Sequence, residues 1–367
     1  MKWFGRKAGR EESRPALSRG GSVAAIGEWP RSYEAQVREA YLGNPVAQRA
    51  VKLVSEGVGG APLLASDPAL AALVSARSGG QGLLETVAAQ LLLHGNAYVQ
   101  ILTDTDGAVA ELFALRPERV RVEADASGWP AGYSYRVGAQ VLRLAADGPR
   151  PGVAHIKAFH PVDDHYGLGC LGAAAGAVAV HNAAARWNKA LLDNAARPSG
   201  ALVYDPGDGA VMAPDQFARL QAEIEAGFAG AANAGRPMLL EGGLRWQAMS
   251  LTPADMDFVG LKAGAAREIA LAFGVPPMLL GLPGDAAYAN YREANRALWR
   301  LAILPLADKI LGGICQALGG WFPGASLAVN LDGVTALSED RERLWRQVSG
   351  ADFLSPEEKR AMLGLGS

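Results

Sequence analysis

Between Thr252 and Gly320 the chain carries two long apolar-periodic runs separated by a Gly- and Pro-containing loop, and no other stretch limits the fold so tightly. The first run opens TPAD: Thr252 is placed to cap, Pro253 suits the first helical position, and Asp255 sets a negative charge against unpaired N–H groups. Phe258, Leu261, Ala265, Ile269 and Phe273 follow at spacings of three and four, which predicts one apolar helical stripe. Gly274 with Pro276 and Pro277 ends it. After LLGLPGDAAYAN a second run, from about Tyr291 to Leu318, reads as a long helix. Pro305 inside it lacks an N–H and meets the carbonyl of Leu301, so a kink is expected there.

From the start of the chain, MKWFGRKAGREESR has basic residues without the apolar core of a secretory signal and reads as a polar arm. Asn44 and Pro45 then open a helix whose apolar face is expected to hold Val46, Ala50, Leu53 and Val54. Leu83 to His94 is a second apolar helix, and GNAYVQIL switches to alternation before a turn at Asp106 and Gly107, which predicts a helix feeding a hairpin. Val120 with Val122, Tyr133 to Val137 and Val141 to Leu144 continue as short strands between Gly and Pro. VAHIKAF is a further strand. An Ala-rich run from about Leu171 to Ala196, about 25 residues, would form a helix roughly 37 Å long.

Gly200 to Ser250 reads as a small unit between helices: the strand GALVY, a helix from Pro214 to Phe228, and a hairpin of PMLLE and LRWQAM over Gly242 and Gly243. Such a unit has too little core to be comfortable alone. Beyond Leu318 one strand is expected in WFPGASLAVNLDGV, then one or two short charged helices in SEDRERLWRQV and SPEEKRAMLG.

Of the 367 residues 50% are hydrophobic and 20% charged, enough to bury a sizeable core. The 35 Lys and Arg against 37 Asp and Glu leave no basic excess, so tight duplex binding by one copy is not expected. Two cysteines, Cys170 and Cys315, make neither a disulfide framework nor a metal knuckle. The long uncharged run from Tyr166 to Ala185 is mostly Ala and Gly, so no membrane span is expected and the protein reads as soluble.

His155, His160, Asp163, Asp164 and His165 are the one cluster that could suggest a hydrolytic metal site. The spacing matches no helical metal motif, and a strand followed by a polar loop accounts for it more simply. His94, at a helix end, reads as a satisfied histidine. Neither a phosphate-binding GxxxxGK[ST] loop nor a GxSxG elbow is present, so catalysis has no visible carrier. Arg292, Arg296 and Arg300 recur at i, i+4 and i+8 along one helix side. A solvated or Glu-paired face explains them at least as well as a DNA- or subunit-facing stripe.

The words REIALAFGVPPMLLG (267–281) and AYANYREANRALWRLAILPLADKI, with LLLHGNAYVQI and ELFALRPERVRV earlier, resemble the portal proteins of tailed bacteriophages and phage-like gene transfer agent particles. One departure is Gly169, Cys170 and Leu171, where the family often has Ser-Pro-Leu. The resemblance implies an α+β portal-type subunit: a flexible N-terminal arm (1–32), a mixed α/β wing (33–170), a stem helix (171–198), a small α/β clip (199–251) and a second stem helix (252–275). A channel loop (276–290), a long Pro-kinked helix with a return strand of the wing (291–334) and short crown-like helices (335–367) complete it. It further implies a homo-oligomeric ring, usually of twelve copies, at one capsid vertex of a virion or phage-like particle assembled in the host cytoplasm. Double-stranded DNA would pass through the channel. The implied partners are the terminase large subunit, head-completion or adaptor proteins and the major capsid protein. No cofactor, metal or enzymatic activity is implied. Pro283, Gly284, Asp285, Ala286, Ala287 and Tyr288 would line the narrowest part of the channel, where an acidic, small-residue surface would let DNA slide. The rival readings are another ring-forming head–tail connector, or a metal-dependent hydrolase using His160 and Asp164.

Overall fold

The computed structural model describes Leu17 and residues 32–146, 148–193, 200–205, 212–228, 244–248, 258–282 and 288–364. Thr252, Pro253 and Asp255, the PMLLE strand with Gly242 and Gly243, and all of the expected arm except Leu17 and Ser32 lie outside them. The chain divides into two units, Met1–Ala175 with Glu268–Ser367, and Gly176–Arg267.

In the first unit α1 (Tyr33–Val37) starts at Ser32, whose hydroxyl accepts the Ala35 N–H, and runs into a π-turn at Arg38–Leu42. Helix α2 (Pro45–Gly59) begins as its sequence suggests: Asn44 Oδ1 accepts the N–H groups of Val46 and Ala47, both at 3.0 Å. Its buried face corrects the expected one. Ala47, Ala50, Val51, Val54 and Val58 are buried, whereas Val46 and Leu53 are only half-buried. At the end of this helix Gly59 lies against Glu85 of the next long helix, where an added Cβ would come within 2.8 Å of the Glu85 side chain.

A short strand β1 (Leu63–Ala65), helix α3 (Pro68–Ser75) capped by Asp67, and a two-residue ladder of β2 (Arg77–Ser78) and β3 (Gln81–Gly82) lead to α4 (Leu83–His94). Helix α4 packs on α2. Gly95 then stops it in the left-handed region, φ 82°. Strand β4 (Asn96–Thr103) forms an antiparallel hairpin with β5 (Val109–Leu115), its turn held by Asp104 Oδ1 accepting from the N–H groups of Asp106 and Ala108. A second antiparallel sheet has β6 (Val120–Ala124), β7 (Pro130–Val137) and β8 (Gln140–Ala145) in that order. Strand β9 (Val153–Lys157) returns to the free side of β4. Period-two alternation puts Val120, Val122, Tyr133 and Leu144 on one face, where they close a core with Tyr98, Leu115 and Val153. Burial of a side chain of that size contributes about 1.5–3 kcal/mol.

Helix α5 (Leu171–Asp193) is Ala-rich as expected. In the Gly176–Arg267 unit strand β10 (Gly200–Tyr204), helix α6 (Pro214–Phe228) and strand β11 (Leu244–Ala248) follow. LRWQA pairs at a distance: β11 lies antiparallel on β10, from Gly200 opposite Ala248 to Tyr204 opposite Leu244. Helix α7 (Phe258–Ala272) has Ala265 and Ile269 buried, as is Phe273 just beyond it, but Leu261 of the same expected stripe is exposed.

Helices α8 (Tyr288–Leu298) and α9 (Leu304–Leu318) are joined through a π-turn at Trp299–Ile303. Asn290–Leu318, 29 residues with a hydropathy of 1.5, is long and apolar enough to cross a membrane by length and composition. Packing within the subunit accounts for part of that apolarity: Ala307, Ile310, Leu311, Ile314 and Leu318 are buried where α9 meets α2, α4 and β9, and 33% of the apolar window is buried in all. Strand β12 (Leu327–Val329) pairs with β1, and α10 (Ser338–Ser349) and α11 (Pro356–Met362) end the chain.

Candidate functional sites

Pro283, Gly284, Asp285, Ala286 and Ala287 lie outside the described residues, and Tyr288 is the first residue of α8. The approach to this segment is described: Pro277–Leu280 makes a 3-10 turn, and Gly281 ends it at φ 70°.

On the exit side, two of the three spaced arginines are engaged within the chain. Arg292 Nη1 lies 2.7 Å from Glu339 Oε1. Arg296 reaches Glu339 at 2.6 Å, Glu293 at 3.1 Å and Asp340 at 3.5 Å, and its side chain is only 17% exposed. Asp340 also takes Arg343 at 2.7 Å. A guanidinium sharing several carboxylates in a half-buried site is held more firmly than an exposed pair. The node therefore joins the start of α8 to the start of α10. Arg300 does not belong to it: it falls inside the π-turn, is exposed, and has no acidic partner among the described residues.

The π-turn is how the helix takes in Pro305. The Leu304 N–H donates to Trp299 O, five residues back, and Pro305 then occupies the first turn of α9, where a missing N–H costs little. The carbonyl of Leu301 is thus accommodated by a widened turn.

The histidine and aspartate cluster is divided among structural tasks. His155 sits in β9, stacked on Tyr98 with ring centroids 4.3 Å apart, its Nε2 3.1 Å from Asn96 Oδ1 and its Nδ1 3.3 Å from the Tyr133 hydroxyl. Burial first, then Lys157, pushes its pKa down to about 3. His94 is likewise lowered by burial to about 4, packs edge-on against Tyr33 and lies 3.1 Å from Asn96 Nδ2. Both rings are therefore neutral at pH 7. His165 Nε2 donates to Gly128 O, Asp163 accepts the N–H groups of His165 and Tyr166, His160 Nδ1 accepts the Val162 N–H, and Lys157 donates to the Asp164 carbonyl. No group of three His, Cys, Asp or Glu that could hold a metal occurs among the described residues.

The central residue of this region, Asn96, was not singled out from sequence. Its side chain accepts the Gly167 N–H at 2.7 Å and donates to Gly167 O at 3.1 Å, pinning the loop after β9 under Gly95. Ala158 N–H donates to Gly95 O and Cys170 N–H to Leu92 O. A Cβ on Gly167 would lie 2.1 Å from Gly95 O, and one on Gly169 2.5 Å from Leu93 O. Gly169, a departure from the usual family word, thus stands where two backbone segments touch. The juxtaposed HGN and GLGC words were the available signal. A second such node is Asp332, whose carboxylate accepts from Arg341 Nε at 2.6 Å and Trp345 Nε1 at 3.1 Å; the Arg341 bond holds its pKa below the usual carboxylate value.

These features describe a scaffold held by backbone crossings and ion pairs. A chain from the virion of a native gene transfer agent (GTA) particle is 49% identical to this one, covering 92% of this chain and 94% of that chain, with a TM-score of 0.71. A chain in the neck of a native GTA particle computed with C12 symmetry is 48% identical, covering 94% and 96%, also with a TM-score of 0.71. A protein of Rickettsia bellii is 38% identical over 346 residues, 89% of this chain and 88% of its own length. Residues 45–364 match the family model described as phage portal protein, and the chain belongs to that family.

Proposed function

We propose that this chain is the portal subunit of a phage-like particle of the gene transfer agent kind, working as a homo-oligomeric ring, a dodecamer, at one capsid vertex. The supporting observation is its 48% identity, over nearly the full length of both chains, to a chain in a GTA neck with C12 symmetry. Double-stranded DNA passes through the ring, inward under a separate terminase and outward toward the tail, and head-completion proteins dock on it. The family is structural, which fits a chain whose titratable cluster serves packing. In this reading 33–170 is the wing, α5 and α7 are stem helices, β10, α6 and β11 belong to the clip, and 276–290 is the channel loop. Family membership with the helix–insert–helix order favours the portal over another head–tail connector.

Electron microscopy of the purified full chain tests the assembly: rings with an axial hole and twelvefold symmetry are expected. A compact monomer at every concentration by sedimentation would overturn it. For the loop, Asp285→Lys adds a cation per subunit; packaging should slow at low salt and recover as salt rises, with rings intact. Packaging at the parental rate at low salt would remove the loop from the DNA path.

A further inference from the structure

The outer face of the β6–β7–β8 sheet carries arginines whose charge is left open, in contrast to those of α8. With Val122, Tyr133 and Leu144 turned into the core, alternation sends Arg121, Ser134 and Arg143 outward in one cross-strand row. Arg136, two residues along β7 from Ser134, lies on that same face about 7 Å further on. Arg119 ends the 3-10 turn that leads into β6. These side chains line a groove of about 1170 Å³ together with Glu118 and Glu123. Arg143 approaches Glu123 only at 3.8 Å and is 81% exposed. Arg119, Arg121 and Arg136 have no acidic partner among the described residues. So a chain with a net charge of −2 concentrates unpaired guanidiniums on one sheet face.

We infer that this face is a docking surface for the phosphate backbone of double-stranded nucleic acid, separate from any axial channel. Guanidiniums suit phosphate because their planar fork donates two parallel hydrogen bonds. Their spacing in rows across strands fits a uniform chain of phosphates, and Val141, opposite Arg136, is the exposed apolar residue among them. In a ring the surface recurs in every copy, so contacts that are individually weak act together on one long duplex.

The test uses closed circular duplex DNA, which has no end to thread into a channel, titrated with assembled full-length protein at 50 and 200 mM salt. Three phosphate contacts from one copy predict a salt slope of about 2.7, an affinity loss of about 40-fold between those concentrations, and a steeper slope where several copies engage one duplex. The variant Arg119→Gln/Arg121→Gln/Arg136→Gln should lose that share of the slope while its rings remain normal by electron microscopy. Arg119→Lys/Arg121→Lys/Arg136→Lys should keep it, and Arg292→Gln, in the α8–α10 node, should leave it unchanged. An unaltered slope in the triple Gln variant overturns the inference. So does retention on poly-glutamate without retention of circular DNA, which would assign the face to an acidic protein. Absence of rings in the parental protein would count against the ring reading alone, because the slope is read on whatever oligomer forms.

Discussion

Around β4 and β9, Tyr98 is fully buried, His155 stacks on it, and Asn96 ties the returning loop in place; in the Gly176–Arg267 unit, Trp187 is 48% exposed, Phe217 61% and Val259 83%. The first region completes its core from one chain. The second presents large apolar side chains to solvent, on helices accompanied among the described residues by one two-stranded ladder. Surface of that kind marks a place of association. The difference teaches that side chains packed within one chain and side chains left for association, Phe159 at 81% exposure just after β9 among them, can be damaged separately.

The largest effect is expected from Gly167→Ala, whose Cβ would press on the Gly95 carbonyl at 2.1 Å. A loss of about 3 kcal/mol is expected, seen as a drop of about 4–5 °C in the melting temperature. A melt unchanged by this substitution would break the first half of the comparison. Next in size is acid. His94 and His155 have pKa values lowered in the fold, to about 4 and about 3, so the unfolded chain binds more protons below the ordinary value of 6.5. Their neutral-state stabilisation is complete above pH 6.5 and is lost progressively as pH falls toward 4 and then 3. Denaturant melts at pH 7, 5.5 and 4.5 should show the decline, and His155→Gln should flatten it.

A smaller effect on the melt, with a large one on assembly, is expected from Trp187→Ser with Val259→Ser. Subunit stability should change by about 0.5 kcal/mol or less, while the ring fraction in sedimentation falls several-fold. If the melt drops and rings persist, the exposed residues belong to a core and the comparison fails. Smallest of all is Pro305→Ala: with a donor restored the helix gains about 1 kcal/mol or less. Loss of packaging without loss of folding would show that the altered turn has a mechanical purpose, and unchanged packaging would make it incidental.

Local rules made much of the fold legible. Asn44 with Pro45, the run from Leu83 to His94 and the helix from Pro214 to Phe228 all declare themselves within a few residues, because caps, prolines and apolar spacing act over one or two turns. What stayed hidden depends on residues far apart. Arg292 and Arg296 find Glu339, more than forty positions on, and nothing in their own spacing names that partner. Apolarity alone points Val46 and Leu53 inward, but the fold buries Ala47 and Val51 and leaves those two half-buried. Asn96 looked like a strand residue until its loop partner Gly167 came beneath it. For the sheet face, the RVRVE alternation at 119–123 was present all along, but an arginine reveals that it is unpaired only when its surroundings are known.

The π-turn at Trp299–Ile303 changes the angular bookkeeping of the helix that contains it. Each α-helical residue advances by about 100°, and a turn that takes in one extra residue sets everything after it out of phase with a straight count. The acidic-facing side of α8 and the core-facing side of α9 can thus be matched to two unrelated neighbours by one continuous helix. A one-residue deletion between 299 and 303 should rotate one neighbour's contacts away from the other's and also bring Pro305 against the carbonyl four residues before it. In related chains that lack this proline, a single-residue gap should accordingly be tolerated in the middle of this helix, a place where gaps are otherwise rare.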